Sequence, residues 1–326
     1  MFLFIEALVL LKIWFAMKKW ILVLCFFILA MISTFYVLVP ATKAFTFGTA
    51  VACTEKGAER LVTNKDRWQA WWPGKKTGNN IYSYEGCNYR IDKIMLNGFE
   101  TTILNGNDSV KAKFQIIADG TDNAIFQWSS VVVLSNNPVK KIFQYISNNG
   151  IQNNIEKFAA AIKPYFENEE NIYGMKVVSE KVTETAMVSV KQTFNHYPST
   201  EEVYGMIHSL QGFIKLKGGE ENNYPMLNVH TEDSATYDVM TAIPTKTDLP
   251  SEGNFYLKKM MLGNILMAEI KGGPYTIKKG VQELTRYVTD HSKTSPAIPF
   301  QSLVTDRLLE TDTSKWVTKL YYPIFY

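Results

Sequence analysis

The sequence predicts an α+β protein carried on one N-terminal apolar helix. Three observations point there: an uncharged run of twenty residues from Trp20 to Val39, alternating segments such as 109–119 bounded by Asn-Gly turns, and amphipathic helices separating groups of strands. At 1.5 Å per residue the run matches a hydrocarbon core of about 30 Å.

Lys18 and Lys19 precede the run immediately and only Lys43 follows closely. That bias predicts a cytoplasmic N-terminus, with everything after Pro40 outside, in the periplasm. The alternative is a cleaved signal peptide, whose apolar region is usually shorter and ends in small residues; Thr42-Lys43-Ala44 fits that poorly. Met17-Lys18-Lys19 resembles a start of its own, which would make residues 1–16 an extension. The expected localisation is the cytoplasmic membrane, single-pass.

Residues 1–43 hold four lysines against one glutamate, leaving thirty basic and thirty acidic side chains in 44–326. A part with no net charge has no general attraction to phosphate backbones, so nucleic acid is not an expected partner. Three cysteines build neither a disulfide scaffold nor a four-ligand zinc site, and a Cys53–Cys87 bridge is left open. His196, His208, His230 and His291 lack metal-site spacing, and neither metal nor cofactor is expected.

Residues 44–168 form the first expected folded domain. A strand from Phe45 leads into the helical stretch TEKGAERLVTNKDRWQAWW, then strands with turns at Asn97-Gly98 and Asn105-Gly106, then a helix. In the segment 109–119, Val110, Ala112, Phe114 and Ile116 point one way, Lys111, Lys113 and Gln115 the other. The closing helix shows Ile151, Ile155, Phe158, Ile162 and Phe166 at three- and four-residue spacing, a stripe suited to lying on a sheet. With the box Trp68-Gln69-Ala70-Trp71-Trp72-Pro73, this order resembles the SRPBCC superfamily, the START-like or polyketide-cyclase-like helix-grip fold. The resemblance implies a cavity for an apolar ligand between sheet and long helix. Trp68, Trp71, Trp72, Phe114 and Trp128 are its candidate lining, and plain core is the competing reading.

The acidic stretch 166–174 marks the expected boundary. Residues 172–326 then repeat a pattern: strands at 174–181 and 184–193, a helix at 199–216, strands at 226–231 and 235–244; then strands at 254–260 and 264–272, a helix at 275–291, strands at 299–306 and 315–323. Ser199 with Glu202 signals a helix start, Gly218-Gly219 a stop, and Pro274 a second start. Two such halves packed as a pseudo-dimer leave a groove along their shared axis.

Lys271-Gly272-Gly273-Pro274-Tyr275, the strand from Ile298 to Asp306 and the terminal Trp316-Val317-Thr318-Lys319-Leu320-Tyr321-Tyr322-Pro323 resemble the GyrI-like family, the effector-binding domain of AraC- and MerR-type activators. That resemblance implies a groove for hydrophobic, often cationic small molecules, with aromatic walls and a buried glutamate. The family strand reads Pro-aromatic-Glu-x-Tyr-x-x-Asp-Pro, whereas this chain has Pro299, Phe300, Gln301, Leu303, Asp306 and Arg307; Thr318-Lys319 replaces Thr-Glu. Burying an uncompensated cation costs several kcal/mol, against about 1 kcal/mol from a neutral hydrogen bond to Gln301. A neutral or anionic apolar ligand, or no ligand at all, therefore fits better than a cationic one. Candidate lining residues are Tyr237, Glu269, Tyr275, Phe300, Gln301, Trp316, Lys319 and Tyr321. Alternation with Met267 and Lys271 leaves the direction of Glu269 open.

Asn107-Asp108-Ser109 has the form of a glycosylation acceptor but reads better as a turn, and Glu232, Asp233 and Asp238 read as a solvated rim. The expected function is a membrane-anchored, non-catalytic small-molecule-binding protein, its partners being a small hydrophobic molecule and the membrane. One alternative is a hydrolase or cyclase using Glu269, Tyr237 and Tyr275. The other is an envelope interaction protein without a ligand.

Overall fold

A computed structural model describes residues 2–325 apart from 107, 184, 185 and 234. The acceptor asparagine, Asn107, thus lies outside the described residues. Contacts divide the chain into two compact units. One holds Met1–Val51, Glu59–Ile117 and Ala124–Pro164; the other holds Ala52–Ala58, Ala118–Asn123 and Tyr165–Tyr326.

The first unit begins with α1, Phe2–Leu38. This helix is continuous, so Lys18 and Lys19 lie within it rather than before it. Met17–Leu38 has a mean hydropathy of 2.7 and is long and apolar enough to cross a membrane. Seven strands follow the order β1-β7-β6-β5-β4-β3-β2, every neighbouring pair antiparallel where the register is defined. They are β1 (Thr42–Val51), β2 (Lys75–Gly78), β3 (Ile81–Tyr84), β4 (Cys87–Met95), β5 (Gly98–Asn105), β6 (Asp108–Ala118) and β7 (Ala124–Val133). Helix α2 (Glu55–Thr63) and the short α3 (Trp68–Trp71) separate β1 from β2, and α4 (Pro138–Phe166) closes the series.

Alternation in β6 is as expected: Val110, Ala112, Phe114 and Ile116 are buried, and Lys111 is exposed. The β4–β5 turn is formed by Leu96 and Asn97, with Gly98 already paired to Met95. Gly98 has φ +157°, and a Cβ there would lie 2.0 Å from the Phe114 carbonyl oxygen, which explains the glycine. The predicted stripe of α4 is buried throughout. Tyr89 on β4 donates to Asn154 Oδ1 on α4 at 2.5 Å, tying sheet to helix.

In the second unit, α5 (Glu169–Tyr173) occupies the stretch expected to be aperiodic, capped by Asn168 and ended by Gly174 in the left-handed region. The first half then runs β8 (Val178–Lys181), β9 (Ala186–Phe194), α6 (Thr200–Leu216), β10 (Met226–Asp233) and β11 (Thr236–Pro244). The second runs β12 (Tyr256–Lys259), β13 (Asn264–Lys271), α7 (Pro274–Asp290), β14 (Phe300–Leu303) and β15 (Val317–Ile324). The sheet order is β12-β9-β11-β10-β14-β15-β13-β8. Exchanging each strand for its counterpart in the other half reverses the order onto itself, so a pseudo-two-fold passes between β10 and β14. Each half lends its first strand to the other: β8 pairs with β13, and β12 with β9.

Strand β14 is shorter than expected. Beyond Leu303 the regular ladder ends, although the Thr305 amide still donates to the Val317 carbonyl at 3.2 Å, and the Arg307 amide donates to Tyr204 Oη at 2.7 Å. Helix α6 starts with a capping box between Ser199 and Glu202, and α7 with Pro274 in its first turn. Under α6, Val203, Ile207, Leu210 and Ile214 form one core with Val188, Leu227, Val239 and Ile243 of the sheet.

Candidate functional site: a methionine-lined recess

Strand alternation decides which side chains reach each face of the second sheet. Val188, Leu227, Val239, Ile243 and Leu303 take the face under α6. Their neighbours Met187, Met226, Asn228, Met240, Ala242 and Phe300 therefore take the opposite, helix-free face. There they line a recess of about 190 Å³, together with Met260 and Met261 beyond β12, Ala297 and Ile298 before β14, and Pro323. Five of the chain's twelve methionines meet in this recess.

Methionine has an unbranched, polarizable side chain that repacks around differently shaped apolar groups. A dry cavity of ~150 Å³ holds benzene in another protein, so this volume suits one ring or a short chain. Among the described residues the charged side chains of the lining are Lys258 and Lys259, and no carboxylate is among them. Lys258 Nζ donates to Met240 Sδ at 3.4 Å, and Lys259 pairs with Asp248 at 2.5 Å. Asn228 Nδ2 donates to the Pro299 carbonyl at 2.8 Å, fixing the segment that leads into Phe300. Further along the same face Asp238 is held below the usual carboxylate range, first by its hydrogen bond from Lys191 and then by that from Thr193.

Of the eight residues expected to line a groove, Phe300 lies in the recess wall, and Tyr321 stacks on it with ring centroids 5.1 Å apart. Lys319 and Glu269 share that open face as a directly opposed cross-strand pair, with Glu269 exposed. Tyr275 is 82 % exposed in the first turn of α7. Gln301 sits opposite Leu227 and Leu320, both core residues, and so takes the helix side. Tyr237 also packs on the helix side, beside the core under α6 and edge-on to Tyr197. Trp316 is buried, its indole N–H donating to the Glu310 carbonyl at 2.8 Å. Glu269, Tyr237 and Tyr275 are thus not brought together. The methionines were missed by sequence reasoning, and the adjacent Met260-Met261 pair was the only local hint.

In the first unit, Trp68, Trp71, Trp72, Phe114 and Trp128 are all buried. Trp68 stacks on Trp72 at 5.8 Å, Phe114 meets Trp128 at 5.1 Å, and Phe158 of α4 meets Trp72 at 4.6 Å. This packing supports plain core. The Trp128 indole N–H has no hydrogen-bond partner among the described residues.

A second, polar recess of about 340 Å³ lies within the second unit, its walls including Cys53, Asp122, Glu169, Tyr173, Tyr287 and His291. His291 stacks on Tyr287 at 3.9 Å, has Nδ1 2.8 Å from the Tyr287 carbonyl, and holds Nε2 3.4 Å from Glu169. Burial disfavours the charged ring, but Glu169, the Tyr287 carbonyl and Asp122 outweigh it and raise the pKa. Tyr173 donates to Asp290 at 2.9 Å and lies 3.0 Å from the Thr54 hydroxyl. Burial, reinforced by Glu167, pushes the Cys53 thiol up to about 12, so it is a poor nucleophile. Cys53 and Cys87 are both free and buried. Among the described residues no group of three His, Cys, Asp or Glu side chains is arranged to hold a metal.

No family model and no curated protein matches the chain. Among solved structures it is similar to the EcmrR C-terminal domain, at 15 % identity over 46 % of this chain and 98 % of that one, with a TM-score of 0.41. A hydrolase from Listeria innocua is similar at 13 % identity over 48 % and 96 %, with a TM-score of 0.35. SAV2435 bound to tetraphenylphosphonium is similar at 13 % over 46 % and 94 %, with a TM-score of 0.32. Likeness at this level assigns neither ligand nor reaction.

Proposed function

We propose that this chain is a membrane-anchored, non-catalytic small-molecule-binding protein whose methionine-lined recess takes a small apolar ligand that is neutral or anionic. One observation carries the reading: an apolar recess whose described lining holds two lysines and no carboxylate. Apolar surface and adaptable thioethers favour an oily ligand, and Lys258 offers a partner to an anionic end, whereas a buried cation meets no opposite charge among the described lining residues. The helix Met17–Leu38 serves as the anchor, with both folded units outside the cytoplasmic membrane. On this reading residues 44–168 are a helix-grip domain of SRPBCC type with a filled interior, and residues 172–326 are a GyrI-like domain.

The test is equilibrium binding of a radiolabelled aryl sulfonate and of radiolabelled tetraphenylphosphonium to the full chain in nanodiscs, with empty nanodiscs as background. The sulfonate is expected to bind and the phosphonium to bind at least ~10-fold more weakly, about 1.4 kcal/mol. Met240→Glu is expected to reverse that preference. Saturable phosphonium binding by the unaltered chain, tighter than sulfonate binding, sinks the reading.

A further inference from the structure

Helix α4 carries two apolar stripes. The one from Ile151 onward faces the sheet and is buried. The other, Val139, Phe143 and Ile146, sits at i, i+4 and i+7 in the first turns, and its members are 50, 69 and 60 % exposed. An exposed stripe of large apolar side chains on a helix whose other face is already packed calls for an apolar partner.

The neighbouring contacts identify that partner. Lys141 of α4 donates from Nζ to the Tyr36 carbonyl at 3.1 Å and lies 4.5 Å from the Tyr36 ring centroid. Lys43 donates to Asn149 Oδ1 at 2.5 Å and lies 4.4 Å from the Tyr145 ring centroid. The first turns of α4 are therefore held beside the last turn of the helix that ends at Leu38, at the depth where the apolar span stops. Between Val131 and Ile155 the only formal charges are those of Lys140 and Lys141. Lys141 is buried against Tyr36 and Lys140 is exposed; exposed apolar side chains beside one exposed lysine, in a segment without carboxylates, match a bilayer boundary bearing anionic headgroups.

We propose that the N-terminal turns of α4 lie in the membrane interface, with Phe143 and Ile146 inserted at the headgroup–acyl boundary, as a second attachment beside the spanning helix. This rests on the anchor reading, so the test must separate the two. The full chain, in a Cys25→Ser background, is reconstituted in phosphatidylglycerol–phosphatidylcholine vesicles with a nitroxide label introduced through Phe143→Cys, Ile146→Cys, Ile28→Cys or Leu309→Cys. Broadening by a water-soluble nickel chelate and by oxygen is then read by electron paramagnetic resonance. The expected result is loss of chelate broadening, with a gain in oxygen broadening, at 143, 146 and 28 relative to 309. Labels at 143 and 146 as open to the chelate as that at 309, with 28 protected, overturn the inference and leave the anchor standing. Chelate access at 28 as well overturns both.

Discussion

The interior of the first unit and the recess of the second are both apolar, yet one is filled and the other open. Around Trp68 the rings lie 5.0 to 5.8 Å apart and leave little slack. Around Met240 the walls come from thioethers on three strands and a linker, leaving room for a guest. Rigid rings from α3, the strands and α4 interlock between sheet and helix, whereas flexible chains on a face without a helix settle around what is offered. The difference shows that apolar content alone does not leave space for a guest; here the space lies on a sheet face that no described helix packs against.

The comparison breaks most readily at Trp68. Trp68→Ala removes a fully buried ring and its hydrogen bond to the Val62 carbonyl at 2.7 Å, so a loss of about 3–5 kcal/mol is expected in urea unfolding of the full chain. A loss below about 1 kcal/mol would mean that this interior is not close-packed. Met240→Ala should cost much less, under about 1.5 kcal/mol, because its side chain is only half-buried and borders a space that already exists. The same variant should admit a bulkier aryl sulfonate than the unaltered chain binds. Equal losses at the two positions would erase the distinction between filled and open.

The smallest effect concerns the polar recess. His291 has a folded pKa raised above its ordinary value of 6.5, so its contribution to stability is complete below 6.5 and declines as pH rises through the folded value. The groups facing it are Glu169, Asp122, Tyr173, Tyr287 and Lys293. Thermal unfolding should show a shallow fall in stability from pH 6.5 upward that His291→Gln flattens. An unchanged slope in that variant would assign the dependence to other groups.

Much of the architecture was legible because it is written locally. Alternation in 109–119, the stripe from Ile151 to Phe166, and Ser199 with Glu202 each specify an element within a few residues of chain. The repeated order in 172–326 placed both halves, although β8 starts four residues later than expected. Parity in β11 was also available: Tyr237 alternates in step with Val239, which assigns it to the helix side. Gln301 required the pairing with Leu227 and Leu320, which no local pattern supplies. The recess was hidden for the same reason. Met187, Met226, Met240 and Met260 are far apart in sequence, and methionine has no strong strand or helix periodicity to announce a shared face.

Exchange of the outer strands has a kinetic consequence. Ser179 must wait for Leu266 to be synthesised before its ladder can close, and Tyr256 reaches back to Ser189. Neither copy of the repeat can finish its sheet from its own residues. Growth of this unit at the ribosome is thereby forced into late, long-range closure, and a chain cut between the copies would expose an unpartnered ladder prone to self-association.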